Sequence, residues 1–569
     1  MRNTKQYFFI YGGRYVKKFI LIIVFLGLFG GLIYFMTPQS ENSKHKLTEQ
    51  IKISKMLQTY NEEKHKADLY GDNYVLWLNE ANSKTLNPDN IDSITKPNKE
   101  KNKYENHFFG YQFSYPSNWL VDNHQASSYT RFFTKDFRVD IFVQDVKKAW
   151  TSSDGYISST IKTLKPYITS DTEWSQNGYS IRKIDYNRPL IKGIKNDLNY
   201  YSYYFITEGK LVYTFQVKTK QELLKQTNKQ MTELVSDFKT TTPIDMNLNE
   251  KVKAFNKNPD VMLQHKNKTL NIPKNHFMMG VYMPKPLEIK ELESFSQNHI
   301  GAQMFYKPVN SDYDIYVEQL VIENRLPMVT FLFEKANSDE QQNVTMEILN
   351  GEFDSNFLSW VNGIKKTEAP VFLRLGNEMN GKWSAWSHKN IYNDPDLYKL
   401  SFKHITDIFR KNEVENAYFV WNPNNFSAPY FEWNEGAVYY PGDNYVDFVG
   451  MTSYNFGKTK WNDFQSIEDL YEDLYWNYSR SFFAKPLIIG EFGSVEYGGD
   501  KAQWILDVFN KIPSKYPNIK AAFWFDETHG KYNLKIKTSP ESANAFKEGM
   551  NKDEVIKSLQ DTKIAEAAH

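Results

Sequence analysis

The sequence predicts an α/β fold: a (β/α)8 TIM barrel preceded by a small α+β domain and an N-terminal transmembrane helix. Three observations carry this expectation. Eight short apolar runs alternate with helical stretches across residues 270–550. A set of period-two segments ends in one amphipathic stretch across residues 104–242. An uncharged apolar run fills Phe19–Met36. At 569 residues the chain exceeds one ordinary domain.

The first element in chain order is the apolar run, FILIIVFLGLFGGLIYFM, whose 18 residues reach the lower limit for crossing a ~30 Å hydrocarbon core as a helix. Arg2, Lys5, Arg14, Lys17 and Lys18 precede it and no acidic residue does. The positive-inside rule then makes residues 1–18 a cytoplasmic tail and residues 19–36 a single-pass anchor in the cell membrane, with everything after it outside. The run is longer than a signal-peptide core, and Met36-Thr37-Pro38-Gln39 offers no small-x-small cleavage site, so an uncleaved signal anchor is expected. Residues 37–103 are polar and charge-rich, with Pro88 and Pro97, and read as linker.

From Tyr104 the pattern changes to alternating strands. They fall in Phe108–Trp119, Arg131–Val146, Tyr179–Tyr186, Leu198–Gly209 and Lys210–Lys218, with a hairpin turn at Glu208-Gly209. Leu223, Leu224, Thr227, Met231, Leu234, Val235 and Phe238 then recur at helical spacing. An antiparallel sheet with a closing helix follows. No catalytic constellation stands out in this domain, so binding or spacing is its expected role.

The barrel strands are expected in His276–Met283, Ile300–Tyr306, Leu326–Glu334, Ala369–Glu378, Asn416–Asn424, Val446–Tyr454, Lys485–Gly493 and Ile519–Glu527. Helical stretches such as Tyr398–Lys411 and Lys501–Ile512 fall between them. Eight such units match the size of a TIM barrel.

Composition narrows the function. The net charge of +1 lacks the basic footprint of a nucleic-acid binder. With no cysteine, disulfides, thiolate metal sites and a cysteine nucleophile are excluded. His388, His404 and His529 do not form a metal-ligand spacing, so neither a metal nor another cofactor is expected. Aromatic residues make up 16% of the chain, which supplies rings for a sugar-binding cleft as well as for the core.

In a (β/α)8 barrel the reactive groups sit where strands end. Glu378 ends the fourth barrel run in FLRLGNEMNGKW and Glu491 the seventh in PLIIGEFG. Two carboxyl groups facing one another across the barrel mouth suit glycosidic bond cleavage. One protonates the leaving oxygen and the other attacks the anomeric carbon, the two carboxyl groups standing about 5–5.5 Å apart in a retaining enzyme. The acid needs a raised pKa and the nucleophile an ionised form. Arg374 shares a strand face with Glu378 and is placed to steady Glu491.

FLRLGNEMNGKWSAW (Phe372–Trp386) and PLIIGEFG (Pro486–Gly493) resemble the acid/base and nucleophile motifs of glycoside hydrolase family 26. VDFVGMTSYNFG (Val446–Gly457) resembles its sixth-strand motif and SPESANAFKE (Ser539–Glu548) its closing helix. The resemblance implies a retaining β-mannanase-like barrel, with Glu378 as general acid/base and Glu491 as nucleophile. By the same resemblance Tyr454 hydrogen-bonds the nucleophile, and Trp383 and Trp524 are sugar-stacking platforms. One departure is Asn377, where many members carry histidine. Other families of the clan have asparagine there, bound to the sugar 2-hydroxyl, which admits β-glucan or an exopolysaccharide beside β-mannan. GYQFSYPSNW (Gly110–Trp119) resembles the PsbP-like domains of exported proteins.

Each of these residues also has a structural alternative. Glu378, Glu491 and Arg374 could serve ion pairs, Asn377 a loop cap, Tyr454 the core, and Trp383 and Trp524 rim packing. Glu334, Asp526 and Glu527 also end barrel runs and are expected to line the cleft or hold loops. The expected partners are a polysaccharide substrate and the membrane; nothing in the sequence points to a protein partner. The competing function is a non-catalytic polysaccharide-binding or scaffold protein at the cell surface.

Overall fold

The computed structural model describes residues 92–562, apart from 127–128, 135, 245–269, 337–342, 443, 460–462 and 483–484. The expected cytoplasmic tail, membrane anchor and most of the linker therefore lie outside the described residues. Among those described, no helix is long and apolar enough to cross a membrane.

The chain opens with strands β1 (Asp92–Thr95), β2 (Lys101–Asn106) and β3 (Tyr111–Pro116). β1 and the first half of β2 fall inside the stretch expected to be linker. They pair antiparallel, with Ile94 opposite Tyr104 and Tyr104 opposite Phe113. Their alternation is carried by polar residues around single rings, so it is hard to see without the partner strand. The Gly110–Trp119 segment forms β3 and the turn after it.

Next come β4 (Leu120–Ala126), β5 (Tyr129–Thr134), β6 (Phe137–Asp145), helix α1 (Ser153–Ile161), β7 (Ile168–Gln176), β8 (Tyr179–Asn187), β9 (Tyr200–Glu208) and β10 (Leu211–Thr219). They make a seven-stranded antiparallel sheet in the order β4-β5-β6-β10-β9-β8-β7. The β9–β10 hairpin turns at Gly209, whose φ of +56° suits glycine. β7 was not expected from the sequence: at the sheet edge it is mostly exposed and polar, and it shows no apolar alternation. Helix α2 (Leu224–Asp237) buries Thr227, Met231, Leu234 and Val235, the face its spacing predicts. The two-residue β11 (Lys239–Thr240) returns to pair with β3, completing a four-stranded sheet.

The seven-stranded sheet is covered on both sides, and period two sorts its residues. Val139, Ile141 and Val143 of β6, with Tyr213, Phe215 and Val217 of β10, pack in the small domain's own core with Tyr104, Phe113 and α2. The alternate residues face the barrel: Phe142 and Val212 join its hydrophobic layer, while Arg138, Asp140, Gln216 and Lys218 are buried polar groups.

The barrel strands are β12 (Phe277–Tyr282), β13 (Ala302–Pro308), β14 (Leu326–Leu332), β15 (Val371–Leu375), β16 (Ala417–Trp421), β17 (Phe448–Asn455), β18 (Leu487–Ser494) and β19 (Ile519–Phe525). All eight overlap the expected runs. They pair in parallel in chain order, and β12 closes the ring on both β13 and β19. Met278, Met304, Met328, Phe372, Phe448 and Phe523 fill the interior. Around it lie α3 (Pro286–Ser296), α4 (Tyr316–Ile322), α5 (Thr345–Leu349), α6 (Asp354–Thr367), α7 (Pro395–Lys411), α8 (Ile467–Ser481), α9 (Lys501–Lys515) and α10 (Pro540–Met550). The fifth unit differs from expectation: after β16 the described residues form two short 3-10 turns in place of a helix. That segment packs on the small domain instead, where Phe431 meets Tyr156 with ring centres 4.8 Å apart and Glu432 N donates to Gln144 Oε1.

Candidate active site

The site begins with the end of β15. Arg374 points into the barrel, fully buried, and Gly376 then turns the chain with a φ of +51°. Glu378 also has a positive φ, +55°, in the loop three residues beyond the strand, where a side chain other than glycine's is strained. Its backbone is fixed by a bond from Glu378 N to Asn422 O at 2.8 Å. Glu491 lies within β18 instead of at its end, where the register shifts against both β17 and β19. Such a bulge re-aims a side chain.

Glu491 collects four donors from three strands, β13, β15 with its following loop, and β17. Arg374 Nη2 and the Tyr306 hydroxyl each reach Oε1 at 2.6 Å, Asn377 Nδ2 donates to the same oxygen at 3.3 Å, and the Tyr454 hydroxyl donates to Oε2 at 2.5 Å. An ionised carboxylate accepts only, so this donor set matches the charged form. Burial, followed by the Glu491 charge, holds the Tyr306 and Tyr454 phenols well above their usual pKa, so both remain donors. Arg374 is itself braced, Nε donating to Thr330 Oγ1 at 2.9 Å and Nη1 to Asn422 Oδ1 at 3.2 Å. Gly490 permits this packing: a Cβ there would lie 1.8 Å from Asn422 Oδ1 and 3.0 Å from Arg374 Nη1.

Glu378 sits in a different environment. Its Oε1 accepts from Asn424 Nδ2 at 2.8 Å and its Oε2 from Trp383 Nε1 at 2.6 Å. Burial and then the charge of Glu491 push its pKa up to about 7, against the opposing pull of these two donors and of Arg374. The two carboxyl groups thus differ as an acid and an ionised partner must.

The structure therefore brings together Glu378, Glu491, Arg374, Asn377, Trp383 and Tyr454 from the sequence reading. Trp383 is 43% exposed at the mouth. Trp524 is a correction. It is fully buried outside the barrel wall against Phe492 and Trp504, with Nε1 donating to Leu534 O, and it presents no face to a ligand. The strand parity of FWF is the reason: Phe523 and Phe525 point inward, and the residue between them points out. The ring at the mouth is Phe525, stacked on Tyr282 at 4.8 Å. Sequence reasoning also missed Tyr306 and Asn424, although both stand at strand ends. Asp526 is buried, its pKa raised to about 6 by that burial, and its carboxylate ties the loop through Ile536 N. Glu334, also raised by burial, and Glu527 are partly exposed at the ends of β14 and β19. Beyond Tyr454, whose ring stacks on Phe456, lies a cavity of about 500 Å³ lined by Phe456, Tyr497 and Tyr532 with Lys458 and Lys531.

Fold and site together define a closed parallel barrel with a protonatable carboxyl group and a charge-supported carboxylate at its mouth. The family model Glycosyl hydrolase family 26 matches residues 327–532, which hold both glutamates. Endoglucanase H of Acetivibrio thermocellus is 34% identical over 213 residues, 36% of this chain and 23% of that protein. Beta-1,3-xylanase TXYA of a Vibrio species is 26% identical over 179 residues, 31% of this chain and 34% of that protein. The chain thus spans about a quarter to a third of the length of these curated relatives. The family 26 domain of an endo-beta-mannanase/endo-beta-glucanase from Prevotella bryantii aligns with a TM-score of 0.38 at 12% identity, over 51% of this chain and 92% of that one.

Proposed function

We infer that the barrel is a retaining glycoside hydrolase that cleaves a β-linked polysaccharide. The observation that supports this reading most is the division of labour at the mouth: Glu378 is raised to about 7, while Glu491 is ringed by four donors. In the first step Glu378 gives its proton to the glycosidic oxygen as the Glu491 carboxylate attacks the anomeric carbon. The C–O bond to the leaving sugar breaks and a glycosyl ester forms on Glu491. In the second step water attacks the same carbon, Glu378 takes its proton, and the ester bond breaks to release a sugar of retained configuration.

β-Mannan, β-glucan and exopolysaccharide are the proposed substrate classes. Among the described residues the buried Oδ1 of Asn377 has no hydrogen-bond partner, which suits a sugar hydroxyl. The apolar run Phe19–Met36 and its basic flank support placing the enzyme on the outer face of the cell membrane. A tethered enzyme suits a polysaccharide that the same cell makes or exports. The test is to incubate the full-length chain with β-1,4-mannan, β-1,4-glucan and β-1,3-xylan and follow the anomeric configuration of new ends by NMR. New β-configured ends support the reading. Binding without cutting would leave the scaffold function, and α-configured ends would remove the nucleophile role of Glu491.

A further inference from the structure

Three exposed rings run from the acid side of the mouth onto the small domain. Phe426 and Tyr430, in the loop after β16, lie parallel with an interplanar angle of 1° and ring centres 5.3 Å apart. Tyr430 in turn stacks with Trp150 of the small domain at 5.8 Å and 29°. Phe426 is 48% exposed, Tyr430 43% and Trp150 81%, an open apolar row of the kind that marks a binding surface. The row is joined to the site: Phe426 N donates to the side chain of Asn424 at 3.0 Å, and Asn424 Nδ2 donates to Glu378 Oε1.

Trp150 also has a φ of +52°, a conformation that bulky residues rarely adopt. The turn is held by Trp150 N to Lys147 O at 3.1 Å and Thr151 N to Val146 O at 3.0 Å. A strained backbone that presents an indole to solvent contributes nothing to the core, which points to a ligand.

We propose that Trp150, Tyr430 and Phe426 form an aromatic platform that binds the glycan beyond Glu378, so that the small domain completes the substrate cleft. The proposal rests on the hydrolase reading for its occupant. The acid protonates the oxygen joining two sugars, and a chain that continues past it on this side meets Phe426, then Tyr430, then Trp150. Sugar C–H faces pack on such rings.

The test uses the full-length chain carrying Glu378→Gln, to prevent turnover, and calorimetric titration with hexaoses and trioses of β-1,4-mannan, β-1,4-glucan and β-1,3-xylan. The readout is the hexaose-to-triose affinity ratio. Trp150→Ala should lower this ratio by about tenfold, the order of one aromatic contact. Trp150→Phe should retain most of it, and Ile322→Ala, an exposed change on α4, should leave it unaltered. Alanine keeps the Cβ, so the substitution does not alter the turn's strain. A ratio unchanged by Trp150→Ala, or no hexaose binding at all, overturns the platform. Hydrolysis of the same hexaoses by the wild-type chain reports separately on the hydrolase. Turnover with a ratio indifferent to Trp150 removes the platform alone, whereas Trp150-dependent binding without turnover removes the hydrolase and keeps the platform.

Discussion

Tyr306, at the end of the second barrel strand, donates its hydroxyl to Glu491 Oε1 at 2.6 Å. Arg374 already reaches that oxygen, so the phenol supplies a second short, charge-assisted bond. Such bonds are worth about 1.5–3 kcal/mol. Tyr306→Phe should therefore lower kcat/KM by roughly 10- to 150-fold and lower the melting temperature by a few degrees. Steady-state kinetics beside a thermal scan checks this, and an unchanged kcat/KM counts against a role in holding Glu491.

On the proposed mechanism the raised pKa of Glu378 sets the alkaline limb of the rate profile. The acid must be protonated to act, so kcat/KM should fall as pH rises through about 7. Trp383 donates to the ionised form and so pulls this pKa down. Trp383→Phe should move the limb to higher pH. A limb that stays in place, or moves lower, shows that another group governs it.

The same shift has a consequence for stability. A carboxyl whose folded pKa lies above its unfolded value favours the fold below about 4.5 and loses that contribution as pH rises through about 7. At pH 8 a charged Glu378 beside Glu491 therefore burdens the native state. Glu378→Gln should stabilise the protein at pH 8 by about 1–3 kcal/mol and have little effect at pH 4, as measured by denaturant titration at the two values. Equal effects at both would place the shift elsewhere.

A buried ion network fastens the small domain to the barrel. Arg131 bridges Asp140 at 2.9 Å and Asp396 at 3.1 Å, Arg138 also pairs with Asp396, and Lys218 pairs with Asp394. Burial alone would raise Asp394, but Lys218 and Arg138 more than offset it and hold the carboxyl below the ordinary range. Asp394 also caps α7, which follows the Glu378 loop. Removing one partner of a buried pair costs about 3–5 kcal/mol. Asp394→Ala should lower stability by that order, in one cooperative transition that includes both domains. Two calorimetric transitions, with the barrel's unchanged, would show that the domains fold independently.

The barrel was legible because each of its strands is a short apolar run flanked by polar helix or loop. Glu378 and Glu491 were legible as carboxylates that follow such apolar runs, and Arg374 from the strand face it was expected to share with Glu378. What the sequence could not convey was strand parity where both faces are apolar. In Ala521–Phe525 every residue is hydrophobic, so nothing marks Trp524 as outward and Phe525 as inward. Tyr306 was hidden for a related reason: its role depends on a carboxylate 185 positions away. The fusion of the two domains was also hidden, although a clue exists. Arg138, Gln216 and Lys218 occupy the face of β6 and β10 that would otherwise be apolar, and they need partners supplied by Asn393, Asp394 and Asp396.

On the proposed mechanism Glu491 attacks the anomeric carbon while Glu378 supplies the proton. Trapping the glycosyl ester with a slowly released, activated 2-deoxy-2-fluoro glycoside of whichever sugar the chain cleaves, followed by mass spectrometry of the digested protein, tests this step. The expected result is one glycosyl increment on the peptide containing Glu491, absent after Glu491→Gln. An increment on any other residue, or turnover with no covalent species and inverted product, contradicts the account.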